Sequence, residues 1–86
     1  MKQTIRLSRE AERDLLALLR ADRRFYHHVL HKVEQLADDP FSGKPLVGNH
    51  KGEYSLRVGD YRVVYTLHTG SKTVFVLTVK HRRHVY

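Results

Sequence analysis

Two arginines bracket a turn in the segment YSLRVGDYRVVY (residues 54–65), and a second cationic cluster, His81, Arg82, Arg83 and His84, lies just ahead of Tyr86 at the end of the chain. Those residue types fit one kind of chemistry. Cleaving a phosphodiester without a metal takes a base for the attacking hydroxyl, an acid for the leaving oxygen, and fixed positive charge on the crowded phosphate. Arg57, Arg62 and Arg82 can supply the charge, because guanidinium presents a forked donor to phosphate. His81 and His84 titrate near neutrality and can act as acid or base. On RNA the 2′-OH is an internal nucleophile, so the first step needs no cofactor. Tyr86 can stack a base or donate its phenolic proton. The simpler reading is that Arg57 and Arg62 splay into solvent and that the tail frays and holds phosphate loosely.

The turn sets the geometry of the first cluster. Gly59-Asp60 suits a two-residue II′ hairpin, since Gly takes the positive φ without steric penalty. Closing it there pairs Val58 with Tyr61, Arg57 with Arg62, Leu56 with Val63, Ser55 with Val64 and Tyr54 with Tyr65. Side chains alternate, so Val58/Tyr61, Leu56/Val63 and Tyr54/Tyr65 form a core face. Arg57 and Arg62 face each other on the opposite side, an arrangement that ordinarily destabilises a sheet and therefore points to an anion.

The remaining elements follow from periodicity. Met1–Leu7 alternates, with Ile5 and Leu7 on one face, and reads as a strand. Ser8 is the expected N-cap of a helix over Arg9–Arg20, with Glu10 and Glu12 in its first turn and Ala11, Leu15, Leu18 and Leu19 as its apolar stripe. Asp22 caps a second helix whose stripe is Tyr26, Val29, Leu30, Val33 and Leu36, running to Ala37 before Asp39-Pro40 stops it. Phe41–Gly52 reads as a loop. Strands follow at Tyr54–Val58, Tyr61–His68 and Thr73–Val79, the last apolar on both faces and so central or well covered. The order β-α-α-β-β-β predicts one α+β domain over residues 1–86, helices packed on one face of a mainly antiparallel sheet, the other face open.

Composition points to a polyanionic partner. The 86-residue chain has a formal net charge of +7. Residues 1–50 hold nine Lys/Arg against seven Asp/Glu, whereas residues 51–86 hold seven against two, so the excess sits on the hairpin and tail. There is no Cys, which excludes disulfides and thiolate chemistry and suits a reducing cytoplasm. No apolar stretch approaches a membrane span, and no signal-peptide core is present. His27 and His31 have the i, i+4 spacing that can hold zinc, but they fall on the polar side of the second helix and no third ligand is indicated. No metal and no cofactor is expected.

The stretch GEYSLRVGDYRVVY (residues 52–65), with the ending VKHRRHVY (residues 79–86), resembles the RelE/ParE superfamily of type II toxins over nearly the whole chain. The resemblance implies the same β-α-α-β-β-β layer and a small cytoplasmic toxin that cleaves mRNA in the ribosomal A site, neutralised by a cognate acidic antitoxin. It also implies site residues. Arg62 falls where RelE-like nucleases hold an active-site arginine, and Arg82 and Tyr86 fall at the C-terminal arginine and tyrosine of that group. His81 matches a tail His-Arg pair and is the expected proton-transfer residue, with His84 the alternative. Arg57, Arg83, His84 and Lys51 are expected to bind substrate phosphate. Lys51 is the nearest substitute for the lysines that RelE carries where Glu53 and Ser55 stand here, and Glu53 is the one further candidate for the base. Two other functions stay open: a ParE-like inhibitor that traps DNA gyrase by binding, and a noncatalytic nucleic-acid-binding module.

Overall fold

The computed structural model describes residues 2–84, of His84 the backbone alone. Strand β1 (Thr4–Leu7) leads into helix α1 (Arg9–Ala21), α2 (Arg23–Gln35), a two-residue strand β2 (Lys44–Pro45), and then β3 (Glu53–Val58), β4 (Tyr61–His68) and β5 (Thr73–His81), the last followed by a 3₁₀ turn over Arg82–His84. The five strands make one sheet in the order β1-β5-β4-β3-β2.

Local signals account for the helical hairpin. The Ala11 N–H donates to Ser8 Oγ at 3.0 Å and the Phe25 N–H to Asp22 Oδ1 at 3.0 Å, so each helix begins at its expected cap. Ala11, Leu15 and Leu18 from α1 and Val29, Val33 and Leu36 from the α2 stripe are buried against Val58, Val63, Tyr65, Val74, Val76 and Val79 of the sheet. Phe25, absent from the expected stripe, is half-buried and packs on Tyr61, ring centroids 5.5 Å apart. Gly59 lies beneath it at φ +59, a conformation that favours glycine, and a Cβ there would stand 3.0 Å from the tip of the Phe25 ring, which would have to shift slightly.

The β3–β4 hairpin has the expected register throughout, Arg57 opposite Arg62 included. Strands β3, β4 and β5 form the expected antiparallel meander, and three features add to it. The sheet is mixed, because β1 pairs in parallel with β5, placing Ile5 beside Val74 and Leu7 beside Val76. The loop after α2 contributes β2, which pairs with Ser55 and Tyr54. Finally, β5 continues two residues past Val79 to His81. The reason for that extension is β4: Arg62 and Tyr61 still offer partners to Lys80 and His81.

One buried tyrosine ties the long loop to the sheet. The Tyr65 hydroxyl donates to Pro40 O at 2.8 Å and accepts from the Gly43 N–H at 3.0 Å. Gly43 is the residue that permits this approach, since a Cβ there would meet the hydroxyl at 2.6 Å. Burial raises the Tyr65 pKa above its ordinary value of 10.0, partly offset by the Gly43 hydrogen bond.

Candidate phosphate-binding site

Three arginines meet at the turn end of the sheet. Arg57, Arg62 and Arg82 line a pocket of ≈ 70 Å³ together with Gly59, Asp60 and Tyr61. The hairpin register sets Arg57 and Arg62 side by side. Arg82 arrives because its backbone N–H donates to Asp60 O at 2.7 Å, folding the chain over the turn as β5 ends. Arg57 Nε donates to Gly59 O at 3.1 Å, which holds its side chain along the turn. The one carboxylate of the pocket, Asp60, lies 3.9 Å from Arg82 Nε, and both are largely exposed, so the pair neutralises little. Three cations against one carboxylate, on exposed residues, can take a phosphate.

Lys80, opposite Arg62 in the sheet, is placed differently. Its ammonium contacts Asp14 Oδ1 at 2.8 Å and Glu10 Oε2 at 3.0 Å, both on α1. Hydrogen bonds first to Asp14 and then to Glu10 raise its pKa above the ordinary 10.5. Asp14 also accepts the Val79 N–H at 2.9 Å. That N–H lies on the flank of β5 beyond Leu7, where β1 has run out and no strand can take it. Asp14 therefore stands in for the missing strand end and quenches the cation next to Arg62. Sequence reasoning passed over Asp14. The available signal was a carboxylate bordering the apolar stripe of α1, at helical spacing from Glu10.

The other expected site residues are spread around this centre. His81 pairs with Tyr61 across the sheet, and its ring packs edge-on against the Tyr61 ring at 5.4 Å, on the helix side of the strand rather than the Arg62 side. Its Nδ1 accepts the Arg83 N–H at 3.2 Å, which leaves Nε2 as the free ring nitrogen. A shallow groove of ≈ 440 Å³, lined among others by Asp14, Leu18, Tyr61 and His81, runs along that side. Tyr61 borders both the groove and the arginine pocket. The Arg83 residue is exposed. Lys51 precedes β3 at the end opposite the Gly59 turn and is not among the residues lining the arginine pocket. Glu53 pairs with His50 at 3.4 Å. The side chain of His84 and the whole of Tyr86 lie outside the described residues. His27 and His31, spaced as zinc ligands are, stand exposed on α2.

A profile of the ParE toxin of type II toxin–antitoxin systems matches residues 5–86. Toxin RelG of Mycobacterium tuberculosis is 34% identical over 87 residues, covering 100% of this chain and 98% of that protein. Among solved structures, the toxin–antitoxin complex RelBE2 of Mycobacterium tuberculosis superposes with a TM-score of 0.86 at 33% identity, covering 95% of this chain and 93% of that one. The intact RelBE toxin–antitoxin complex of E. coli superposes at a TM-score of 0.76 over 92% of this chain and 95% of that one, and at 16% identity it speaks to the fold alone. The chain belongs to the ParE toxin family, within the RelE/ParE superfamily of type II toxins. Among the described residues, no helix is long and apolar enough to cross a membrane.

Proposed function

We propose that the protein is a metal-independent endoribonuclease toxin that stops translation by cutting mRNA in the ribosomal A site. The observation that supports it most directly is the pocket shared by Arg57, Arg62 and Arg82. In the proposed reaction the 2′-oxygen attacks the adjacent phosphorus, the P–O5′ bond breaks, and the products carry a 2′,3′-cyclic phosphate and a 5′-hydroxyl. Arg62 and Arg82 bind the phosphate and stabilise the charge that builds on its non-bridging oxygens, with Arg57 beside them. The His81 ring stands on the helix side of β5, away from the arginine pocket, so His84 is the residue that takes the proton from the 2′-OH or returns one to the leaving 5′-oxygen. Tyr86 stacks on a base next to the scissile bond or donates to the leaving oxygen. Arg83 and Lys51 contact flanking phosphates.

Charge also argues for the partner. An acidic antitoxin segment that orders on binding would cover the basic end of the sheet, as an antitoxin accompanies the toxin in the RelBE complexes the chain resembles.

Expression of wild type, Arg62→Ala, His81→Ala, His84→Ala and Tyr86→Ala in cells, with mapping of mRNA 5′ ends, tests the proposal. The wild type should arrest growth and leave cuts within codons, and Arg62→Ala should do neither. Equal arrest by every variant, with intact mRNA, overturns cleavage and leaves inhibition of gyrase by binding as the reading to test with purified enzyme.

A further inference from the structure

A second feature occupies the open face of the sheet, at the end farthest from the arginine pocket. A groove of ≈ 370 Å³ crosses the ends of β1, β4 and β5, lined by Arg6, Leu7, His68, Ser71, Thr73 and Phe75. The Phe75 and His68 rings stand side by side in it, centroids 6.0 Å apart. His68 Nε2 lies 3.1 Å from Thr66 Oγ1, which orients its ring. The register sets Phe75 between Arg6 on one side and Thr66 on the other.

These rings share a face with Arg62. The irregularity between β4 and β5 leaves Leu77 of β5 without a partner, and β4 itself alternates without interruption, so Arg62, Val64, Thr66 and His68 point the same way. At roughly 3.3 Å per residue, the four to six positions from Arg62 to Thr66 and His68 span about 13–20 Å. The floor between them is made by Val64, Thr66 and Thr78, with Glu53 beside Thr66 on β3, its carboxylate 3.4 Å from His50. A strand of a few nucleotides covers that distance.

We infer that this groove is a base-stacking subsite for single-stranded RNA, with the backbone running from the Arg57–Arg62–Arg82 pocket along β4 and one base resting on Phe75 and His68. Charge complementarity carries the choice of ligand. Arg6 is exposed, makes no ion pair among the described residues, and no carboxylate lines the groove. A half-exposed aromatic beside a free guanidinium is what an unpaired base and its phosphate need, since every base offers a π face. The inference rests on the RNA-cleaving reading for its ligand, and it adds a contact remote from the scissile bond that grips substrate without touching the chemistry.

The chain has no tryptophan, so Phe75→Trp makes a single reporter in the groove. Its fluorescence should be quenched by a short oligoadenylate and left unchanged by inorganic polyphosphate, which carries charge but no base. In anisotropy titrations Phe75→Ser should weaken oligoadenylate binding about 5- to 150-fold, the equivalent of roughly 1–3 kcal/mol per stacked base, and leave polyphosphate binding unaltered. Arg62→Ala should weaken both. Unquenched Phe75→Trp, together with equal oligoadenylate affinities for Phe75→Ser and wild type, overturns the subsite while leaving the arginine pocket intact. Base-dependent quenching in a protein that leaves cellular mRNA uncut would preserve the subsite and remove the nuclease reading instead. A wild type that binds neither polyanion removes both.

Discussion

Arg62 and Lys80 are partners across adjacent strands, yet their charges meet opposite fates. Arg62 joins Arg57 and Arg82 around a pocket whose one carboxylate, Asp60, is exposed and 3.9 Å from Arg82, while Lys80 is held by two carboxylates of α1. The cause is topological. Helix α1 crosses the flank of β5 where β1 has ended, so its acidic residues reach Lys80, and they go no further toward the turn. A cation counts toward anion binding only where the fold leaves it unpaired. On this sheet the boundary between paired and unpaired falls between two neighbouring strands.

The largest effect that could break this contrast is at Arg62. Under the proposed nuclease activity, Arg62→Ala should lower the rate of mRNA cleavage about 10²–10³-fold, the usual loss on removing a donor aimed at developing charge. Its thermal unfolding should stay within about 0.5 kcal/mol of wild type, because the side chain is exposed. An equally inactive but unfolded variant would refute the placement.

On the paired side the expected change is in stability. Asp14→Ala removes the acceptor for the Val79 N–H and the nearest partner of Lys80, and should cost about 1.5–3 kcal/mol in urea unfolding. Asp14→Asn keeps an acceptor for Val79 but removes one of the two carboxylates that hold Lys80, leaving Glu10. With the added net charge beside Arg62, the salt dependence of single-stranded RNA binding should steepen, by about 0.7 in the slope of log K against log salt. An unchanged slope would mean that Lys80 stays sequestered by Glu10.

Alkaline pH separates the same regions. The folded pKa of Lys80 is raised, so the stability it brings is fully present below 10.5, its ordinary value, and declines as pH rises through the folded value. Tyr65 is also raised, from 10.0, and its neutral hydroxyl loses its favourable burial in the same direction. Unfolding free energy should therefore fall above about pH 10. The fall should be shallower in Tyr65→Phe, which has no phenol to ionise. The smallest effect is expected at Asp60→Asn: less than about 0.5 kcal/mol in thermal unfolding, since the Arg82 pair it removes is long and exposed.

Features with short-range causes were legible in the residues. The Gly59 hairpin, its full register and the facing pair Arg57/Arg62 follow from one turn and a period of two. The caps Ser8 and Asp22 and both helical stripes follow from hydrogen-bonding side chains and a period near 3.6. The site was legible in part. Arg57, Arg62 and Arg82 were named from the chain, and the structure gathers them at one pocket. His81 was grouped with them, but strand extension past Val79 sets its ring on the helix side. Where a tail begins depends on whether a neighbouring strand still offers partners, and no local pattern reports that.

Alternation and capping act over four residues or fewer, and so the amino-acid order alone settled the hairpin, the helices and which faces are apolar. Docking β1 in parallel beside β5, threading the Tyr65 hydroxyl into the loop at Pro40 and Gly43, and bringing Asp14 to Lys80 were decided by tertiary structure. Each joins groups more than 20 residues apart, and the energy that selects them exists only once the sheet and helices have packed.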